Sequence, residues 1–237
     1  MLQFEIIPVT PFQQHCTLFW CDETKQAAVV DPGGDIEKVI SAIDKHQLTL
    51  VKVFLTHAHI GHYAGLMFLG HEAMGASKVL IYAMPLMKKY LQTNGPWSQL
   101  VKYNNIVLSP LQDEKTLKLD GLEVTPLLVP HRDEFSETVG YKIEGRKKTA
   151  LFIPDIDKWH KWKRSIIEEV KKVDFAFLDA SFLKDGEISR PMSEIPHPFT
   201  SETVDLFKNE SLETKNKVIF IHFNHTNPTL QENSKER

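Results

Sequence analysis

The sequence predicts an α/β domain, in which buried strands alternate with amphipathic helices. Short apolar runs typical of buried strands recur along the chain, at residues 51–55, 149–153 and 218–221 among others. Residues 36–43 place apolar side chains at spacings of three and four, which gives a helix one apolar face. Several strand-like runs end at a histidine or an aspartate, as expected where a site is built along the edge of an α/β sheet.

The first half begins with three predicted strands, at residues 4–8, 16–21 and 27–30. A turn at Gly33-Gly34 follows, and we expect Asp35 to cap the next helix by accepting backbone N–H bonds. After the strand at 51–55, a second helix is predicted from Pro85 to Gly95, because proline is common early in a helix and glycine just past its end.

The second half is predicted to contain four more strands, at residues 124–130, 149–153, 174–179 and 218–221. Residues 158–172 alternate charged and apolar side chains, which favours one surface helix with a single buried stripe. A last helix is expected to start with Thr200 or Ser201 as its cap and to reach Asn209. The tail at 229–237 is polar and is expected to fray.

Composition is that of one globular domain, and we expect residues 1–237 to form it. Hydrophobic residues make up 42% of the chain and charged residues 25%. The net charge of −3 disfavours nucleic acid as a partner. No apolar run approaches the roughly 20 residues of a membrane span, and no secretory signal is evident at the start, so we expect a cytoplasmic location. Cys16 and Cys21 are expected to be free thiols.

A cluster of three histidines is the most specific chemical signal. His57, His59 and His62 lie within six residues, directly after the strand at 51–55. Neutral imidazole is the most common protein ligand for transition metals. On a tight loop between a strand and a helix, these side chains can converge on one point. The cluster therefore predicts a metal site.

Further ligands must come from separated segments, and four polar residues follow other strand-like runs. They are Asp31, His131, Asp155 and His222. His197, which lies between Pro196 and Pro198, is interpreted as part of a rigid surface turn.

In this order, Asp31, the His57-x-His59-x-x-His62 cluster, His131, Asp155 and His222 match the five motifs of the metallo-β-lactamase fold superfamily. The chain resembles that superfamily over nearly its whole length. Residues 1–56 resemble the small glyoxalase II-like hydrolases and residues 57–230 resemble PqqB-like proteins, so the pattern changes near residue 56. The resemblance implies a four-layer αββα sandwich.

The resemblance also implies a ligand set. His57, His59 and His131 would form the first metal site, and Asp155 would bridge to a second site with His62 and His222. Superfamily members usually carry an aspartate directly before the third histidine of the cluster, but Gly61 stands there in this chain. We therefore expect one tightly held ion, with the second site weaker, empty, or completed by water or His225. Zinc is the expected metal, with iron or manganese as alternatives.

The expected function is a hydrolase that uses a metal-activated water on an ester, thioester, lactone or phosphodiester of small size. Asp155 is expected to restrain that water, and His62 and His222 to orient the substrate or bind a second ion. Asp31 is expected to hydrogen-bond a ligand imidazole and fix its tautomer. The alternatives are a PqqB-like oxidative enzyme of quinone cofactor biosynthesis and a non-catalytic metal-binding domain. The oligomeric state is left open.

Overall fold

The computed structural model describes residues 2–11, 13–119 and 121–236. Its strands are β1 Leu2–Val9, β2 Gln14–Cys21, β3 Gln26–Val30, β4 Thr49–Phe54, β5 Val79–Ala83, β6 Ile106–Pro110, β7 Leu117–Leu119, β8 Leu122–Leu128, β9 Val139–Gly145, β10 Thr149–Ile153, β11 Phe175–Asp179 and β12 Val218–Ile221. Its α-helices are α1 Ile36–Lys45, α2 Ile60–Tyr63, α3 Pro85–Thr93, α4 Gly95–Lys102, α5 Ile166–Lys171, α6 Thr200–Phe207 and α7 Leu212–Lys215.

The strands form two six-stranded sheets, one from each half of the chain. The first sheet has the order β1-β2-β3-β4-β5-β6, and the second has the order β12-β11-β10-β9-β8-β7. In the first sheet β3 to β6 run parallel, and in the second β10, β11 and β12 do. Since β8 and β10 are both antiparallel to β9, β8 points the same way as β10. The carboxyl ends that carry the predicted site residues therefore share one edge of each sheet.

Three apolar clusters account for the layering. The central one packs the two sheets face to face, with Phe19 and Phe54 on one side and Phe152 and Phe177 on the other. A second cluster packs α1, α3 and α4 on the outer face of the first sheet, and a third packs α5 and α6 on the second. Helix, sheet, sheet and helix thus form four layers, which confirms the predicted αββα sandwich.

A buried side-chain hydrogen bond joins the two sheets beside the histidine cluster. The Tyr141 hydroxyl of β9 donates to the Leu55 carbonyl, which follows β4, at 2.5 Å. Both side chains are fully buried. Because an unpaired buried carbonyl is costly, this bond stabilises the chain two residues before His57.

Several local predictions need correction. Asp35 makes no side-chain cap to α1, because its backbone is left-handed (φ 44°) and its carboxylate instead accepts the Thr10 N–H at 3.0 Å. Gly95 does not end a helical region but begins α4, with Pro96 in its first turn. The last long helix was expected to have Thr200 or Ser201 as its cap and to reach Asn209. Thr200 is instead the first residue of α6, Phe199 occupies the cap position, and the helix ends at Phe207.

The predicted single helix at 158–172 is wrong in extent. The segment forms a 3₁₀ turn at Trp159–Lys161 and then α5, which Ser165 caps by accepting the Glu168 N–H. Trp162 between them is extended, and its indole N–H donates to the Leu128 carbonyl at 2.8 Å. Tertiary contacts of the tryptophan thus override the helical pattern.

Two other features were expected from the sequence. Cys16 and Cys21 are both free thiols, as predicted, and both are buried. Among the residues that the structure describes, no helix is both long and apolar enough to cross a membrane.

Candidate metal centre

The carboxyl ends of strands from both sheets bring the predicted residues together. Asp31 follows β3, and His57, His59 and His62 follow β4. From the second sheet, His131 follows β8, Asp155 follows β10 and His222 follows β12. The site therefore lies across the seam between the two halves of the chain.

Asp155 lies at the centre, with five imidazoles around its carboxylate. The nearest histidine nitrogens are those of His62 at 2.9 Å, His222 at 3.2 Å, His197 at 3.4 Å, His131 at 3.7 Å and His57 at 3.8 Å. Burial by itself would raise the pKa of Asp155, but the histidines, His222 and His62 first, hold it well below its usual range. Asp155 is therefore a buried anion that faces both predicted ligand groups.

His57, His59 and His131 form the first group, with ligand atoms within 4.8 Å of one another. His57 Nε2 lies 2.8 Å from His59 Nδ1, and the other nitrogen of His59 lies 3.1 Å from the Glu134 carboxylate. The His131 ring approaches from the opposite sheet, with ring centres 5.3 Å from His57 and 5.1 Å from His59.

The tautomer of His131 follows from its partner. Its Nδ1 lies 3.2 Å from the Pro196 carbonyl, which can only accept, so Nδ1 carries the proton and Nε2 the lone pair. Burial lowers the pKa of His131 to about 4, which keeps the ring neutral. Among the described residues, the buried Nε2 has no hydrogen-bond partner.

His57 is oriented through a hydroxyl. The Thr56 hydroxyl donates to Asp31 at 2.6 Å and lies 2.9 Å from His57 Nδ1, so its oxygen accepts the Nδ1 proton. The Asp31 carboxylate also accepts the Thr56 N–H at 2.8 Å. Burial, followed by the neighbouring His62, holds the pKa of His57 well below its usual range, and the neutral ring turns Nε2 toward Asp155.

His62 joins two carboxylates directly. Its Nδ1 lies 3.0 Å from Asp31, and its Nε2 lies 2.9 Å from Asp155. Burial would lower the pKa of His62, but the Asp155 and Asp31 carboxylates outweigh it and raise the pKa to about 10. The protonated imidazole is thus the cation between the two acids, and a metal ion bound at Nε2 would replace its proton there.

The second sheet repeats the hydroxyl relay. The Ser181 hydroxyl donates to Asp179 at 2.8 Å and lies 2.9 Å from His222 Nδ1. His222 Nε2 then faces His62 Nε2 at 3.3 Å. In each half, an aspartate at a strand end fixes a hydroxyl, which in turn fixes a histidine.

His197 also belongs to the centre, so its interpretation as a surface turn is wrong. Its Nδ1 lies 2.7 Å from Asp179, and its side chain is only 14% exposed. Burial would lower the pKa of His197, but Asp179 outweighs it and raises the pKa. The sequence missed Asp179 as well, although it ends β11 as Asp31 and Asp155 follow their strands. His15 was interpreted as ordinary, yet its Nδ1 accepts the His222 N–H at 2.9 Å.

The donor set fits a metal cation. His131 Nε2 and Asp155 Oδ1 are two acceptors that face each other at 3.7 Å, and a cation between them would satisfy both. His57 and His131 are neutral, which is the form that binds metal. A second set comprises His62, Asp155 and His222, while His225 is exposed and lies outside the pocket lining. Gly61 offers no side-chain ligand to either set.

A pocket of about 310 Å³ opens over these residues. Its wall includes Ile60, Arg132, Phe182 and Phe223 beside the histidines. Apolar surface with a few convergent polar groups is typical of sites for small molecules.

A sequence model of the family described as "Beta-lactamase superfamily domain" matches residues 28–223. Hydroxyacylglutathione hydrolase GloC of Haemophilus influenzae is 43% identical over 91 residues, which are 35% of this chain and 42% of the relative. The hydroxyacylglutathione hydrolase of Shewanella oneidensis is 33% identical over 134 residues, 56% of this chain and 44% of the relative. The chain spans less than half the length of these two relatives.

Among solved structures, zinc-bound PqqB from Methylobacterium extorquens superposes with a TM-score of 0.76 over 97% of this chain and 83% of that one, at 20% identity. At that identity the likeness shows the fold alone. Together these matches confirm the resemblance to the metallo-β-lactamase superfamily, with glyoxalase II-like relatives in sequence and PqqB as a neighbour in fold.

Proposed function

Since the chain belongs to the β-lactamase superfamily, we propose that it is a metal-dependent hydrolase with zinc as its metal. The observation that carries the proposal is the facing pair of acceptors, His131 Nε2 and Asp155 Oδ1, 3.7 Å apart at the bottom of a pocket. Neither atom can donate, and a divalent cation is the partner that suits both.

The substrate class is a small molecule with an ester-type bond. Esters, thioesters, lactones and phosphodiesters share an electrophilic carbon or phosphorus that water can attack. The names of the curated relatives favour hydroxyacylglutathione, a thioester. Arg132 and Phe223 in the pocket wall offer a cation and an aromatic surface to such a substrate.

When bound, a divalent metal would lower the pKa of its water to near neutrality and would polarise a substrate carbonyl. The chain's own residues would hold the metal and orient the water. His57 and His131 would hold the metal through neutral nitrogens and His59 through a third imidazole, and Asp155 would accept a hydrogen bond that orients the attacking water. These positions make Asp155 the residue to which hydrolysis is expected to be most sensitive.

The remaining site residues orient the proposed ligands or supply protons. Asp31 orients His57 through Thr56 and His62 directly. His62 and His222 face Asp155 and are available to a second ion or to the substrate. Asp179 raises the pKa of His197, which lines the pocket, so its protonated form can donate a proton to a leaving group.

The test combines metal analysis with turnover. We expect about one tightly held zinc per chain, and hydrolysis of a hydroxyacylglutathione in preference to lactone and phosphodiester substrates. His59→Ala should lose most of the metal and the activity, whereas the exposed His160→Ala should keep both. Unchanged metal content in His59→Ala would refute the proposal. Iron content with oxygen-dependent turnover would favour the PqqB-like oxidative alternative, and bound metal without turnover of any substrate would favour a structural role.

A further inference from the structure

The Gln14 carboxamide fills the space beside Gly61 into which a larger residue would place its side chain. A Cβ built on Gly61 would meet Gln14 Nε2 at 1.3 Å, Cδ at 2.2 Å and Oε1 at 2.5 Å. The Oε1 distance is close to the one that separates Cβ from a carboxylate oxygen within aspartate, whereas Nε2 would overlap the added carbon. The glutamine amide, which comes from β2, therefore occupies the space that an aspartate side chain at position 61 would need.

The surroundings hold the carboxamide in place. A Cβ built on Gly33 would lie 3.4 Å from Gln14 Oε1 and only 1.8 Å from the Gly61 carbonyl, so the turn after β3 packs directly on α2. The Thr10 hydroxyl lies 3.4 Å from Gln14 Oε1 and can donate to it. Gln14 thus lies between two glycines and lines the pocket.

Gln14 lines the same pocket as the second set of donors. His62, Asp155 and His222 share that lining, with His62 Nε2 at 2.9 Å and His222 Nε2 at 3.2 Å from Asp155. The set lacks one oxygen ligand, because residue 61 is a glycine. A carboxamide oxygen is an acceptor that binds metal without adding a charge.

We propose that Gln14 replaces the aspartate missing at position 61 and supplies Oε1 as an oxygen ligand to a second metal ion beside His62, Asp155 and His222. This inference rests on the proposed metallo-hydrolase function. Because the amide is neutral, the second site carries one negative charge fewer than it would with an aspartate, and it binds a divalent ion more weakly than the first.

The packing has a second consequence, which concerns substitutions at position 61. Gly61→Asp alone would force its carboxylate into the Gln14 amide, so the gain from the new charge is offset by the displaced ligand. Gly61→Asp combined with Gln14→Ala clears that space. The two substitutions are therefore expected to be strongly non-additive, as contacting residues are.

The experiment titrates metal-free protein with Co²⁺ and follows its visible absorption spectrum together with bound metal by equilibrium dialysis, which gives the first and second dissociation constants. Gln14→Ala should weaken the second equivalent by about tenfold or more. Gln14→Glu, which keeps the shape and adds a charge, should tighten it. The matched control is Gln13→Glu, which adds the same charge on an exposed neighbouring side chain and should leave both constants unchanged.

Gly61→Asp should tighten the second equivalent clearly only in the Gln14→Ala background. The inference is overturned if Gln14→Ala and Gln14→Glu leave the second constant unchanged, if Gly61→Asp alone gains as much as the double variant, or if the wild-type protein takes up one equivalent even at millimolar Co²⁺. Failure of the first equivalent to bind would instead refute the proposed function. Gln14→Glu keeps the side-chain volume, so it remains informative if Gln14→Ala folds poorly.

Discussion

Thr56 and Ser181 are small residues that set the direction of two histidines. Each hydroxyl donates to a buried aspartate, Asp31 or Asp179, and lies within 2.9 Å of an imidazole nitrogen, His57 or His222. Since a hydroxyl has only one proton, this arrangement leaves its oxygen to accept from the ring and turns the other ring nitrogen inward. Positioning groups of this kind usually matter almost as much as the ligands.

Thr56→Val should weaken metal binding by about 10- to 100-fold, because it keeps the shape and removes the hydroxyl that fixes the His57 tautomer. The measurement is competition with a chelator of known affinity. Thr116→Val is the matched control, since the Thr116 hydroxyl pairs with Thr125 in an exposed contact, at 2.8 Å. Equal affinities for both variants would contradict the relay.

At the scale of single residues, the local sequence pattern identified site residues wherever a polar residue follows an apolar strand. Asp31, His57, His131 and Asp155 were all predicted to belong to one site on that basis, and the structure brings them together. Asp179 obeys the same rule and was overlooked because it was included in its strand. His197 could not have been found in this way, since its place depends on a loop anchored by Phe182, Met192 and Ile195.

The short helix α2 and the turn after β3 are elements in backbone contact. A Cβ on Gly65 would lie 2.2 Å from the Pro32 carbonyl, so only glycine permits this approach without a shift. Because His62 lies on α2, the contact fixes how far that imidazole stands from Asp31.

Gly65→Ala should therefore lower stability by about 1–3 kcal/mol through overpacking, and should loosen metal binding by moving α2. Thermal unfolding with and without metal measures both effects. Gly95→Ala is the control, because a Cβ there meets nothing within 4 Å and φ is not positive. If the Gly65→Ala protein is as stable as the Gly95→Ala protein, the turn accommodates the added methyl group and the prediction is wrong.

Helices and strands were predictable where only one of their faces is buried or where turn residues mark their ends. The strands near residues 4–8, 16–21 and 27–30 were confirmed, as was α1. Strands β5, β6, β7 and β9 were not predicted, since each depends on pairing with distant neighbours. The helix prediction around Trp162 failed for a different reason. The hydrogen bond from the Trp162 indole N–H to the Leu128 carbonyl fixes extended backbone where the sequence pattern favoured a helix.

The whole molecule is two sheets that meet over a shared apolar core and a shared polar edge. Tyr141→Phe would leave the Leu55 carbonyl without its donor from the other sheet. We expect a loss of about 1–3 kcal/mol in the free energy of unfolding, measured by urea denaturation. Tyr103→Phe, at a tyrosine that is 56% exposed, should have no effect. If the two variants unfold alike, the inter-sheet bond contributes nothing.

Metal binding should stabilise the whole fold, because its proposed ligands come from both sheets. At free Zn²⁺ of about 100 times its dissociation constant, linkage predicts about 2.7 kcal/mol. The melting temperature should rise with added Zn²⁺ and fall with a chelator in the wild-type protein, and should hardly respond in His59→Ala. A melting temperature that ignores metal in the wild type would contradict a centre shared by the two halves.

The alternation of strands and helices predicted an α/β domain, and the four-layer architecture was predicted through the resemblance to the superfamily, which the ordered set of strand-end residues carries. The partnering of strands within each sheet was not, since pairing between distant segments leaves little trace in local periodicity.

The crowding of Gln14 against Gly61 has a practical consequence for anyone who tries to re-engineer this protein. Any replacement at codon 61 alone requires the Gln14 side chain to move, because the added Cβ would overlap the glutamine amide. A search for variants with new metal preferences should therefore vary codons 14 and 61 together.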